Sequence, residues 1–185
     1  LDPLATGVLP LCFGAATKFS QMHLDAHKTY EAVLRLGQRT TTADAEGELI
    51  AERPVAYTAE RLSEVVRQFT GVIRQVPPMH SALKKDGRAL YEYARAGIEV
   101  ERTAREIEIF KLDVIDPCVD GSPSAIKIRV FCSKGTYIRT LGEDIGEALG
   151  CGAHLASLRR IATGPFGLER CVTLAALEAM DEAQR

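Results

Sequence analysis

Residues 125–150 read AIKIRVFCSKGTYIRTLGEDIGEALG and contain two hydrophobic periods. In the first eight residues the apolar positions 126, 128, 130 and 132 alternate with Lys127, Arg129 and Phe131, which is typical of a strand with one buried face. After a turn at Ser133, Lys134 and Gly135, the period lengthens to that of a helix that ends at Gly150. The helical stripe comprises Ile138, Leu141, Ile145 and Leu149. This stretch therefore predicts a strand followed by an amphipathic helix.

The same two periods extend through the rest of the chain. They predict strands over 29–36, 107–114 and about 158–161, a helix from the N-cap Thr58 to the residues before Gly71, and a short helix from Thr173 to Met180. Polar residues 38–57 predict a turn or short hairpin on the surface, and residues 1–10 a loop. Helices do not alternate regularly with single strands, so we expect an α+β fold with a mostly antiparallel mixed sheet flanked by helices and loops.

Composition narrows the class of protein. The 185 residues are 46% hydrophobic and 26% charged, which excludes a disordered chain or a coiled coil, and no apolar run approaches the length of a membrane span. The net charge of −2 does not by itself predict a nucleic-acid binder. However, residues 127–160 carry six basic against three acidic residues, and residues 41–70 reverse that ratio. The sequence therefore leaves open whether these basic residues form one face that meets a phosphate backbone.

Cysteines and sequence motifs bear on compartment and cofactors. Five cysteines without a C-x-x-C pair favour a reducing cytoplasm, with most of the thiols packed as core residues. Glycine-rich phosphate loops and complete metal-ligand motifs are absent from the sequence. We therefore expect neither a metal nor another cofactor.

A basic segment over 84–106 has few candidate core residues. Leu90 and Tyr93 are possible helical anchors, and Gly97 would end the helix. The segment is either an arm that protrudes from the domain or a solvated helical face.

One acid stands out near the start of the sequence, where Asp2 lies among apolar residues in LDPLATGVLP. A carboxylate in such surroundings needs a cation and hydrogen bonds, as a catalytic acid would have. Alternatively, Asp2 caps the turn that Pro3 begins.

Five spaced motifs resemble the TruB family of pseudouridine synthases. The first is LDPLATGVLP at 1–10 with TKFSQ at 17–21, and the second is KTY at 28–30. The others are QVPP with SALK at 75–84, GTYIRTL at 135–141, and HL, LRR and GPF between 154 and 166. They occur in the family's order and span nearly all of the chain.

The resemblance implies the pseudouridine synthase fold with a central active-site cleft, and an isomerase that detaches uracil, turns it and rejoins it through carbon 5. Asp2 matches the essential acid, which acts either as a nucleophile on the sugar or as a base, and Arg139 matches the arginine that pairs with it. Tyr30 matches the tyrosine that stacks on uracil and assists proton removal from carbon 5. Tyr137, Leu158 and Lys18 match residues around the same pocket.

By the same resemblance, the substrate is the T-loop uridine of tRNA, usually numbered 55, which must leave its stack to react. Residues 80–106 correspond to an RNA-contacting arm, in which Lys84 and Arg88 would hold phosphates. We expect tRNA as the partner, no protein partner, and a monomer in the cytoplasm.

The sequence also departs from the family pattern. Residues 1–185 correspond to one catalytic domain, without the family's Gly-His-x-Gly-Thr segment and strand before Leu1 and without its C-terminal RNA-binding PUA domain. We therefore expect a catalytic-core fragment in which fraying near Asp2 lowers activity.

Two other functions stay open. A non-catalytic RNA-binding module or tRNA chaperone would account for the basic segment. A retaining glycosidase-like hydrolase would use a carboxylate near a sugar, but needs a second carboxyl group about 5 Å away, and no matched motif contains one.

Overall fold

The computed structural model describes residues 2–180; Leu1 and residues 181–185, the two ends of the expected domain, lie outside the described part. The strands are β1 (Ala5–Gly7), β2 (Lys28–Leu36), β3 (Gln38–Thr40), β4 (Leu49–Glu52), β5 (Gly71–Gln75), β6 (Lys84–Lys85), β7 (Arg88–Ala89), β8 (Arg105–Asp116), β9 (Ala125–Cys132), β10 (Ala153–Thr163) and β11 (Phe166–Gly167). The helices are α1 (Ser20–Asp25), α2 (Ala59–Gln68), α3 (Leu90–Arg95), α4 (Ile138–Ala148) and α5 (Leu174–Ala179). Short 3-10 helices cover Gly14–Phe19, Val119–Gly121 and Leu168–Arg170.

Seven strands form one sheet in the order β1-β10-β2-β9-β8-β5, with β11 paired to β10. Within this sheet β1 and β10 run parallel, and every other pair is antiparallel. The predicted α+β class with a mostly antiparallel mixed sheet is confirmed. β10 begins five residues earlier than the predicted strand, because irregular pairing between Leu155 and Ser157 and between Arg160 and Ala162 breaks the alternation that sequence patterns detect.

Helix α4 lies close against the sheet and contacts β2 and β10. A Cβ atom at Gly146 would stand 2.3 Å from the backbone nitrogen of Ala153, and one at Gly142 would stand 2.6 Å from a Leu34 methyl group. Glycine at these positions therefore permits the close approach. The apolar stripe of α4 is buried in the main core, so the first turn of the helix, which carries Arg139, has a fixed position.

A short strand interrupts the loop that the sequence predicts over residues 1–10. Residues 5–7 form β1 against β10, and the Val8 amide donates a hydrogen bond of 2.8 Å to the Arg160 carbonyl. Gly7 has a φ of +96°, and a Cβ there would lie 2.1 Å from the same carbonyl oxygen. Because a glycine lets the chain lie directly on β10, Asp2 precedes an anchored strand.

The hairpin expected within residues 38–57 is present as β3 and β4, but the segment is not confined to the surface. Leu155 of β10 exchanges backbone hydrogen bonds with Ala43 and Ala45, at 3.0 and 2.9 Å. This pairing buries Ala43 and Asp44, so the prediction of an entirely exposed turn is wrong.

The basic segment folds into a tight hairpin and a short helix. Asp86 and Gly87 connect β6 to β7 with φ values of 51° and 80°, the left-handed geometry that an Asp-Gly turn favours. Leu90 is buried, and the Tyr93 hydroxyl donates to the Lys85 carbonyl at 3.2 Å. We call residues 80–106 the arm.

Two further sequence expectations concern cysteines and membranes. Of the five cysteines, Cys132 and Cys151 are buried, Cys12 is half-buried, and Cys118 and Cys171 are exposed, so the expectation that most thiols pack in the core is wrong. In residues 2–180 no helix has the length and apolar character needed to cross a membrane.

Candidate active site

Arg139 and Asp2 form a bidentate ion pair. The Arg139 Nε donates to Asp2 Oδ2 at 2.8 Å, and a terminal guanidinium nitrogen donates to Oδ1 at 3.1 Å. Parallel bonds of this kind fix the orientation of a carboxylate as well as its charge. The Arg139 side chain is only 5% exposed, whereas that of Asp2 is 30% exposed and reaches solvent.

Further oxygen atoms surround the same guanidinium. It donates to the His80 carbonyl at 2.7 Å, and to the Thr42 carbonyl and Asp44 Oδ2 at 3.4 Å each. The other Asp44 oxygen accepts from the Thr42 hydroxyl at 2.5 Å and from the Glu46 amide at 3.1 Å. A buried charge is tolerated when it is paired and hydrogen-bonded in this way.

Asp44 is the residue at this site that the sequence did not reveal. It lies in the polar run TTADAEG, which has no motif to mark it, and only the pairing with β10 brings it to Arg139. Its side chain is 4% exposed and both of its oxygens are engaged. Asp44 is thus a second carboxylate beside Arg139, but it is placed to orient the arginine rather than to meet a substrate.

Gln75, the last residue of β5, holds the start of α4. It is 2% exposed, its Oε1 accepts from the Tyr137 amide at 2.8 Å, and its Nε2 donates to the Tyr137 carbonyl at 3.0 Å. No side chain caps this helix at Tyr137 itself. Because Arg139 follows two residues later, the Gln75 amide fixes the backbone that carries the arginine.

Asp2, Arg139 and Asp44 line one cleft of about 490 Å³. Tyr137 also lines this cleft, and the arm contributes Ser81, Tyr91 and Arg95. The remaining lining residues are Pro3, Thr42, Glu46, His80 and Ala82. The cleft therefore lies between the ion pair and the arm.

Tyr30 lies on β2, paired in register with Arg160 of β10. Burial raises the pKa of its hydroxyl, and the adjacent Arg160 guanidinium partly opposes that rise. Arg160 is itself buried and donates to the Val8 carbonyl at 2.7 Å. Tyr30 consequently keeps a neutral hydroxyl at physiological pH and lies within electrostatic reach of Asp2.

Neither Tyr30 nor the remaining predicted site residues are among those that line the cleft with Asp2. Leu158 is buried in β10 opposite Ala5, whereas Lys18 is exposed in the 3-10 helix after β1. Lys84 lines a separate groove beside Arg105, and Arg88 pairs with Glu92 at 3.3 Å. The roles assigned to these residues stay predictions.

Within residues 2–180, no group of three His, Cys, Asp or Glu side chains is arranged to hold a metal ion.

Sequence comparison connects this geometry to known proteins. Residues 1–138 match the model of the TruB family pseudouridylate synthase N-terminal domain, and residues 139–185 match that of the tRNA pseudouridylate synthase B C-terminal domain. The whole chain is 65% identical to tRNA pseudouridine synthase B of Ralstonia nicotianae and 60% identical to that of Dechloromonas aromatica. It spans 59% and 60% of those two proteins.

Structural comparison gives the same result. A chain in the crystal structure of a Cbf5-Nop10-Gar1 complex superposes with a TM-score of 0.69 at 31% identity, over 95% of this chain and 42% of that one. A chain in an H/ACA RNP bound to a substrate RNA superposes with a TM-score of 0.64 at 28% identity, over 95% of this chain and 40% of that one. The pseudouridine synthase fold expected from the sequence is confirmed. By its sequence and its fold, the chain belongs to the TruB family of pseudouridylate synthases.

Proposed function

We propose that this chain carries the catalytic centre of a tRNA pseudouridine synthase that acts on the T-loop uridine at position 55. The observation that supports the proposal most is the Asp2 carboxylate, oriented by two parallel hydrogen bonds from Arg139 at the edge of an open cleft. The relatives named tRNA pseudouridine synthase B support the choice of substrate.

The reaction is an isomerisation and needs no added reactant. The bond between ribose C1′ and uracil N1 breaks, a bond from C1′ to C5 forms, and the C5 proton is lost while N1 gains one. Asp2 acts on the ribose, as a nucleophile or as a base, and Arg139 orients its carboxylate through two hydrogen bonds. Tyr30 stacks on the base and assists removal of the C5 proton.

The substrate must enter the cleft as an extruded nucleotide. A stacked uracil does not expose its glycosidic bond, and base flipping costs a few kcal/mol that stacking and backbone contacts recover. The cleft of about 490 Å³ has the size of a small-molecule site, and the basic arm forms one of its walls. RNA is thus the partner we propose, and tRNA the specific one.

The alternative is a non-catalytic RNA-binding protein. A binding module requires the arm but does not require a carboxylate in a bidentate pair with a buried arginine. Asp2 is therefore the residue that separates the two functions.

The test compares two forms of the protein on a T-stem-loop RNA. One is the 185-residue chain, and the other is a chimera in which the chain replaces the matching 59% of the Ralstonia nicotianae relative. We expect the chimera to yield pseudouridine, measured by mass spectrometry of digested nucleosides, and its Asp2→Asn variant to yield none while still binding RNA. Absence of pseudouridine in the chimera, or equal yield from Asp2→Asn, would contradict the proposal.

We further propose a cytoplasmic, monomeric protein that works without a protein partner. Light scattering coupled to gel filtration, with and without the T-stem-loop, measures the mass. A stable dimer would overturn the monomer.

A further inference from the structure

The basic side chains of the arm face different surroundings, and only one of them lines the catalytic cleft. Arg88 pairs with Glu92 and stacks on Tyr93, with its guanidinium 4.7 Å from the ring centre. Lys84 lies in the separate groove. Arg95, from the last turn of α3, lines the cleft that contains Asp2.

Arg95 is held by an aromatic ring rather than by a carboxylate. Its guanidinium lies 5.2 Å from the ring centre of Tyr91, which lines the same cleft, and Arg95 forms no salt bridge within residues 2–180. A guanidinium stacked by its face on a ring keeps its N–H edge available. That edge fits a phosphate oxygen pair, for which arginine is the preferred partner.

A hydroxyl group without a partner lies beside this pair. The Ser81 Oγ is buried and has no hydrogen-bond partner among the described residues, although buried hydroxyls are almost always satisfied. The Ser81 carbonyl accepts from the Tyr91 amide at 3.1 Å, so the hydroxyl lies at the base of the wall that carries Tyr91. Ser81 is also among the residues that line the cleft.

Among the arm residues that line the cleft, Arg95 carries the one formal charge, which favours an anion at this wall. The other arginine of the cleft, Arg139, is already paired with Asp2 and Asp44. A phosphodiester belongs to the same RNA as the nucleotide at the Asp2 site, so it meets Arg95 in the same binding event.

We propose that Ser81, Tyr91 and Arg95 form a subsite for the RNA phosphodiester that flanks the flipped uridine. Arg95 binds the phosphate, Tyr91 holds the guanidinium in place, and the Ser81 hydroxyl donates to the same sugar-phosphate unit. This inference rests on the proposed function for its ligand. It goes beyond a general basic arm because it assigns one phosphate to one side chain.

The test is a coupling measurement between protein and RNA. T-stem-loop RNAs with a single neutral methylphosphonate on the 5′ or the 3′ side of the target uridine are titrated against the 185-residue chain and its Arg95→Gln variant. For one of the two positions we expect about a tenfold loss of affinity in the unsubstituted chain and no additional loss in Arg95→Gln. Equal losses in both proteins at both positions would overturn the assignment.

Four further variants separate this subsite from general electrostatics. Arg88→Gln also removes a charge from the arm, and we expect it to retain the full methylphosphonate effect. Arg67→Gln, on α2, serves as the control with unchanged affinity. Tyr91→Leu and Ser81→Ala should each weaken binding about threefold, and circular dichroism checks that each variant is folded.

The outcome is separable from that of the proposed function. RNA binding is measured without turnover, so coupling at Arg95 in a protein that makes no pseudouridine would refute only the isomerase. Pseudouridine formation without coupling would refute only the subsite.

Discussion

The two walls of the cleft that contains Asp2 differ in burial and in the contacts that hold their arginines. The wall that carries Arg139 is buried: its guanidinium contacts two carboxylates and two carbonyls, and Gln75 holds the backbone before it. The arm wall is exposed at Arg95, and its ring contact is weaker than an ion pair. We infer that the buried wall sets the rate of the chemical step and the arm wall sets RNA affinity.

The largest expected effect comes from Arg139→Lys. Lysine keeps the positive charge but cannot form two parallel bonds to Asp2 while also reaching the Asp44, Thr42 and His80 oxygens. Breaking a buried pair costs about 3–5 kcal/mol, so we expect the single-turnover rate to fall by a factor on the order of 10²–10³. RNA affinity should change less than about threefold.

The matched control for that variant is Arg129→Lys. Arg129 also donates twice to one carboxylate, that of Glu31, but on the exposed face of the sheet. Exposed pairs contribute about 0–1 kcal/mol, so this rate should stay within about twofold of the unsubstituted protein. A comparable rate loss in both variants would remove the distinction between the buried and the exposed pair.

Asp44→Asn should have the next largest effect. The substitution directs an amide donor at the Arg139 guanidinium, or leaves the guanidinium without its second carboxylate. We expect the single-turnover rate to fall about 100-fold, with RNA affinity retained. Asp113→Asn, which breaks the exposed pair with Lys111, is the control, and an unchanged rate in Asp44→Asn would show that Asp2 alone orients Arg139.

Gln75→Met tests whether the backbone before Arg139 must be fixed. Methionine fills a similar volume but leaves the half-buried Tyr137 amide without its partner, at about 1–3 kcal/mol. The Tyr137 carbonyl loses the Gln75 bond but still accepts from the Leu141 amide at 3.0 Å. We expect about a tenfold lower rate in folded protein. Gln38→Met removes an exposed bond to Glu52 and is the control. Normal turnover by Gln75→Met below its melting temperature would assign Gln75 to stability alone.

The smallest effect concerns stability and pH. Burial, followed by repulsion from Glu143 and Glu147, raises the pKa of Asp144 to about 6 from an ordinary value of 3.8. The folded state therefore binds this proton more tightly than the unfolded state, and stability falls as pH rises from about 4 to about 6. Asp144→Asn should remove that loss, and solvent screening of this partly exposed group limits the gain at pH 7 to about 1 kcal/mol.

Thermal unfolding at two pH values checks this expectation. For a chain of this size, 1 kcal/mol corresponds to about 2–4 °C in melting temperature. We expect Asp144→Asn to melt higher at pH 7.5 and nearly with the parent at pH 4. A variant that melts lower at pH 7.5 would contradict the assigned sign.

The sequence predicted secondary structure correctly where the hydrophobic periodicity was strict. Ile126, Ile128 and Val130 are buried and alternate with half-buried or exposed residues, and β9 has the predicted bounds. Long-range pairing was not predictable in the same way. Val8 and Ala45 acquire partners on β10 that lie more than 100 residues away, so neither β1 nor the burial of Asp44 leaves a local pattern.

The candidate site divides along the same line. Asp2 and Arg139 were predicted from motifs that resemble those of the family, and the structure brings the two side chains into contact. Asp44 contacts the site only because residues 43–45 pair with β10, and a polar residue in a polar run carries no local sign of burial. Gln75 lies in the QVPP motif, but that motif did not predict its contact with the Tyr137 backbone. Arg95 could not be distinguished from Arg88 before the course of α3 was known.

The most direct test of the two-wall account measures single-turnover rate and RNA dissociation constant together, in the chimera and its Arg139→Lys and Arg95→Gln variants. We predict that Arg139→Lys lowers the rate at saturating RNA by a factor on the order of 10²–10³ with little change in the dissociation constant. Arg95→Gln should raise the dissociation constant about tenfold and leave the saturating rate within about twofold. If both variants change both quantities in the same proportion, the division of the cleft into a catalytic wall and a binding wall is wrong.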